Sequence, residues 1–113
     1  MTEKQELELT IKTLDEHKAE DIQSVDVTGT SPFYDYVVLA TCPNPRALFA
    51  LSEYLEDAYA SNDVDVSVKE GEPDSGWVII QGGSVIAHLL LQGNRRALNL
   101  EEFLEKLKEI GRE

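Results

Sequence analysis

Leu7, Ile11 and Leu14 recur at spacings of four and three among charged residues. That stripe predicts an amphipathic helix ending near residues 18–21. Residues 22–27 are rich in β-branched side chains and read as a strand, closed by the polar turn Thr28-Gly29-Thr30-Ser31-Pro32. Tyr36-Val37-Val38-Leu39-Ala40 is a continuous apolar run of strand length. Such a run fits a strand covered on both faces, although a buried helix segment has the same pattern.

A second helix is announced by Asn44, a good N-cap, and by Pro45 at the first helical position, where a missing N–H costs nothing. Leu48, Leu51, Ser52, Leu55, Ala58 and Tyr59 then form one stripe, and Ser61-Asn62-Asp63 stops it. Val64, Val66 and Val68 alternate with Asp65 and Ser67, the period of a half-exposed strand. Residues 70–76, with one proline and two glycines, read as a turn or short loop. Two apolar runs, 77–81 and 84–91, flank Gly82-Gly83, which predicts a tight hairpin. Asn99 is placed to cap a last helix carrying Leu100, Phe103, Leu104, Leu107 and Ile110. The order helix, strand, strand, helix, three strands, helix makes an α/β (α+β) domain around a mixed five-stranded sheet with three helices.

The chain has 113 residues, which is the length of one domain, so residues 1–113 are expected to form a single unit. No apolar run approaches the roughly 18–20 residues needed to span a bilayer, and the first residues lack a signal-peptide core. A cytoplasmic protein without a membrane partner is expected. Charge adds the sharpest constraint. Ten Lys and Arg against 22 Asp and Glu leave a net charge of −12. Such a surface repels phosphates, which argues against direct nucleic-acid binding; the same charge fits either solubility alone or electrostatic steering toward a basic protein partner.

Reaction chemistry is sparse. The single cysteine, Cys42, has no second thiol for a disulfide or a zinc site, and reads as a passive residue at a strand end. His17 reads as solvated, and His88, sharing a strand face with Ile86 and Leu90, as a hydrogen-bonded histidine beside the core. Asp63 and Asp65 have the spacing of a paired-acid metal site, but no Gly-Ser element precedes them, and Asp35 stands alone. Ser31, Ser52 and Ser84 lack a local base. No phosphate-cradling glycine pattern lies between a strand and a helix. Neither catalytic residues nor a cofactor or metal are expected. Arg46 is expected to pair locally, whereas Arg95 and Arg96 suit a contact surface. Trp77, the one tryptophan, stands at the mouth of a strand, as a core cap or an interface anchor.

Taken together, Lys18-Ala19-Glu20-Asp21-Ile22, Val25-Asp26-Val27, Ser31 and 35–41 resemble the iojap-like ribosomal silencing factors. The likeness continues through Arg46, Ala50-Leu51, Glu70-Gly71, Trp77-Val78-Ile79-Ile80, Gly83, Val85, His88, Arg95 and Leu100-Glu101. Each motif is weak alone, but together they run in order along almost the whole chain. The resemblance implies a nucleotidyltransferase-like fold without catalytic residues and a homodimer when free. It also implies binding to the large ribosomal subunit through the basic protein L-fourteen, which blocks small-subunit docking and represses translation when nutrients are scarce. The chain departs from the family pattern at Gln81-Gly82-Gly83-Ser84, where relatives carry Asp-Tyr-Gly-Asp, and at Cys42, Ala47, Leu98 and Leu104.

The expected partner-binding residues are Trp77 with Ile79, Gln81 and His88 on the hairpin, together with Arg95. Asp35 and Tyr36 are implied as supports by the resemblance. Two other readings use the same residues: a magnesium-dependent nucleotidyltransferase built on Asp63, Asp65 or Asp35, and an acidic dimeric adaptor with another protein partner.

Overall fold

The computed structural model describes residues 1–94. Helix α1 (Glu3–Glu16) starts on a capping box: Thr2 accepts from the Gln5 N–H at 3.1 Å, and the Gln5 side chain accepts from the Thr2 N–H at 2.9 Å. It stops sooner than the stripe predicts, because Lys18 turns left-handed at φ 64°. The Ala19 N–H then reaches the Leu14 carbonyl and the Lys18 N–H that of Asp15, a Schellman closure made without glycine. Strand β1 (Glu20–Asp26) follows at once, with a bulge between Glu20 and Gln23.

Strand β2 (Tyr36–Cys42) is the apolar run, two residues longer than expected and buried from Val37 onward. Helix α2 (Pro45–Ser61) begins as its sequence dictates, with the Asn44 side chain accepting from the Ala47 N–H at 2.8 Å. It closes like α1: Asp63 sits at φ 57° and the Val64 N–H reaches the Tyr59 carbonyl at 2.8 Å. Val64 is therefore a buried plug beneath the helix end, and strand β3 (Val66–Glu72) starts two residues later than the alternation suggests. The segment read as a loop begins as strand, through Glu72. Glu70 pairs with Ile79 and Glu72 with Trp77, and only the 3-10 turn at Pro73–Ser75 and Gly76 connect β3 to β4 (Trp77–Gly82). Strand β5 (Val85–Leu91) completes the sheet. The predicted last helix, with Arg95 and Arg96, lies outside the described residues.

The sheet order is β1-β2-β5-β4-β3, antiparallel except for the parallel β2–β5 pair, so the mixed five-stranded sheet is as expected. Gly82 pairs with Val85, which makes Gly83-Ser84 the hairpin turn rather than Gly82-Gly83. Gly83 has φ 58°, the glycine-first arrangement of a type II′ turn. Gly82 is needed for another reason: a β-carbon there would strike the Tyr59 ring. That ring is fully buried, its hydroxyl shares a 2.6 Å hydrogen bond with Thr10, and burial pushes its pKa up to about 12.

Both helices pack on one face of the sheet. Leu14, Leu48, Leu51, Leu55 and Tyr59 meet Val38, Ala40, Val78, Ile80, Ala87 and Leu89 in the main core. Cys42 ends β2 in this core, and burial, then the nearby Glu20 carboxylate, raises its thiol to about 11, so it is a packed residue and not a nucleophile.

A candidate partner-binding face

Side chains alternate along a strand, so residues two apart share a face. On β4 this sends Val78 and Ile80 to the helices and Trp77, Ile79 and Gln81 to the opposite face. The register extends that face across the sheet. Trp77 lies opposite Leu90, Ile79 opposite His88 and Gln81 opposite Ile86, and these continue to Thr41, Leu39 and Val37 of β2. Val27, Val37, Leu39 and Leu90 form a second, fully buried cluster there, with Val25, Tyr34, Trp77 and Ile86 half-buried around it.

Trp77 and His88 are joined on this face. The indole N–H donates to His88 Nδ1 at 3.1 Å, with ring centroids 5.9 Å apart and planes tilted by 32°. An accepting Nδ1 assigns the proton of the neutral ring to Nε2. Burial pushes the His88 pKa down from 6.5 to about 4, so the ring is neutral at physiological pH. The expected reading of His88 as a hydrogen-bonded residue beside the core holds.

The other expected site residues are placed differently. Gln81 is 6% exposed, and its amide works inside the chain, donating to the Phe33 carbonyl at 2.7 Å and the Gly83 carbonyl at 3.3 Å. It ties the hairpin to the loop before β2. Tyr36 packs against the helix-side core, on the face opposite Trp77. Asp35 is half-buried at the hairpin-turn end of the sheet, where its backbone N–H meets the Ser84 carbonyl at 2.8 Å. It lines an open polar cleft of about 380 Å³ shared with Glu3, Glu6, Phe33 and Ser84. In that cleft Glu6 accepts from the Ser84 hydroxyl at 2.8 Å. The structure thus gathers Trp77, Ile79 and His88 on one face, with Gln81 beneath its edge, and separates Tyr36 and Asp35 from them. Arg95 lies outside the described residues.

Sequence reasoning missed Tyr34, which flanks the second cluster, and Phe33, which is 76% exposed in the adjoining loop. The signal was present in Phe33-Tyr34-Asp35-Tyr36, three aromatics in four positions directly before the core strand. Two minor expectations change as well. His17 caps α1 and stacks on Tyr54 of α2 at 3.6 Å instead of standing free in solvent. Arg46 makes no ion pair among the described residues, and lies by a depression with Phe49, Glu72 and Asp74. Asp63 is used in the helix closure, and among the described residues no three His, Cys, Asp or Glu side chains form a group that suits a metal.

Comparison with known proteins gives concordant results. The family described as "Ribosomal silencing factor during starvation" matches residues 1–113. Ribosomal silencing factor RsfS of Zymomonas mobilis is 33% identical over 95 residues, covering 84% of this chain and 71% of that protein. The Bacillus subtilis protein of the same name is 28% identical over 102 residues, covering 90% and 86%. The mouse protein "Mitochondrial assembly of ribosomal large subunit protein 1" is 27% identical over 101 residues, 86% of this chain and 44% of its own length. A crystal structure of a Chromobacterium violaceum protein superposes with a TM-score of 0.87 at 24% identity, covering 93% of this chain and 88% of that one. A Bacillus halodurans structure gives 0.79 at 23% identity, covering 88% and 93%.

Proposed function

The chain belongs to the ribosomal silencing factor family, a regulatory and non-enzymatic one, and from that premise we propose that it silences ribosomes by occupying the large subunit's joining face. It docks on the basic protein L-fourteen and excludes the small subunit by volume. The observation that carries this reading is the sheet face of Trp77, Ile79 and His88, half-buried and largely apolar, in a chain of net charge −12. Such a face supplies the small desolvated centre from which binding energy comes, and the acidic surround steers it to a basic partner. The name of the mouse relative, which speaks of large-subunit assembly, points to the same particle.

In this reading residues 1–113 act as one domain in the cytoplasm, as a homodimer when free. Trp77 and Ile79 make the contact, and His88 and Gln81 support it from within the chain; Asp35 and Tyr36, placed away from this face, bear on it only through the start of β2, and Arg95 is a further contact residue in this reading. A monomer in sedimentation at roughly ten micromolar, a typical interface affinity range, would remove the dimer from this account.

Co-sedimentation with purified large subunits tests the docking. The wild-type protein is expected to pellet with them, and less of it as salt is raised. Trp77→Ala is expected to weaken pelleting by about thirtyfold, the effect of losing about 2 kcal/mol at an interface anchor, with the circular dichroism of a folded protein. Full-strength pelleting of folded Trp77→Ala would move the interface elsewhere.

A further inference from the structure

The only donor of a tryptophan side chain is its indole N–H, and here that donor is already engaged by His88 Nδ1 at 3.1 Å. Two consequences follow from this geometry. First, the indole is held in one orientation by a neighbour on the adjacent strand, anchored diagonally across the β4–β5 register. Second, what Trp77 offers to an approaching molecule is ring surface and not a hydrogen-bond donor.

We propose that His88 is a positioning residue that locks Trp77 before docking, so that the partner meets a fixed indole face and seats an apolar or cationic side chain on it. This rests on the ribosome-binding reading above and names what one residue does within it. Several features of the site support the lock. His88 is neutral, so Nδ1 keeps the lone pair the bond requires. The hydrogen bond is partly buried, which limits competition from water. Trp77 packs against the buried Leu39–Leu90 cluster, which gives the lock a rigid floor. An indole free to rotate would have to be ordered at the moment of binding, and prior ordering removes that cost. The ring face is also the electron-rich part of an indole, which suits the Lys and Arg side chains of a basic partner.

Two variants separate positioning from mere packing. In His88→Asn the side-chain oxygen occupies the branch that Nδ1 occupies in histidine, so an acceptor for the indole is kept. In His88→Leu the volume is kept and the acceptor is lost. With a single tryptophan in the chain, its indole N–H proton resonance reports the lock in the free protein without interference. The expected result is a solvent-protected indole N–H in wild type and His88→Asn, and a rapidly exchanging one in His88→Leu. Affinity for large subunits is expected to fall about five- to tenfold in His88→Leu, the effect of re-ordering one large side chain, and to stay within about twofold of wild type in His88→Asn. Equal affinity of His88→Leu and wild type would overturn the positioning role and leave the ribosome reading intact. Equal losses in both variants would also overturn it, since the acceptor would then not be what matters. If wild type itself fails to bind subunits, the functional reading falls and takes the positioning role with it, whereas the indole resonance still reports the lock.

Discussion

His88 carries the clearest pH signature of any described residue. Its pKa is lowered by burial from 6.5 to about 4, so as pH falls the unfolded chain takes up the proton first. The stability tied to its neutral form is therefore complete above about pH 6.5, is lost progressively toward pH 4, and falls no further below that. A shift of this size corresponds to about 3 kcal/mol as an upper limit. His88→Asn, which cannot titrate, is expected to flatten the fall in urea midpoint between pH 6.5 and 4.5 relative to wild type. Parallel curves would show that the histidine is not held neutral. Gly82 poses a steric question at the same scale. Because Tyr59 fills the space where its β-carbon would go, Gly82→Ala is expected to cost about 1–3 kcal/mol by overpacking, read as a lower urea midpoint at unchanged slope. The sequence indicated a hydrogen-bonded histidine beside the core but not its partner, since Trp77 and His88 are 11 positions apart, and it gave no sign of the Gly82 contact, since Gly82 and Tyr59 meet only once α2 is laid on the sheet.

Helix and strand boundaries were readable where a local group decides them. Asn44-Pro45 starts α2 because its cap is made by adjacent residues, and the apolar runs around Gly82-Gly83 fold into the expected hairpin. Boundaries set by tertiary contacts were not. Glu70 and Glu72 look like loop residues, yet they sit on the outer strand of the sheet, where exposed charges are tolerated and discourage edge-to-edge association. Lys69 on the same strand ties β3 to α2 through Glu53 and Glu56, a semi-exposed contact of modest strength. The end of α1 also escaped the pattern, because Lys18 occupies a left-handed position that normally signals itself with glycine, whereas α2 ends at Ser61, where the polar run Ser61-Asn62-Asp63 stops it. This makes a prediction about the α1–β1 junction. Lys18→Gly removes the strain of a β-carbon at φ 64° and is expected to raise stability by about 0.5–1 kcal/mol, after allowing for the added freedom of the unfolded chain. A lower urea midpoint would show that the lysine side chain contributes more than its backbone costs.

At the scale of the whole molecule, two features have to act together. A net charge of −12 gives long-range attraction to a basic surface without specifying where on the protein contact is made. The Trp77–Ile79–His88 face gives a local apolar centre without any reach. Of the residues expected at the site, those on β4 and β5 were readable together because strand alternation places them on one face. Tyr36 was not, because its run is apolar on both faces and the sequence does not say which side it takes. The family's pattern differs from this chain at the hairpin turn, where Gln81 works as an internal tether and Glu6 anchors Ser84, so the turn is braced from within the chain. The central claim is exclusion of the small subunit, and light scattering during subunit joining measures it directly. Large subunits incubated with this protein and then mixed with small subunits are expected to show a reduced scattering increase, falling with protein concentration and restored by Trp77→Ala. A full scattering increase at concentrations where the protein pellets with large subunits would contradict the account.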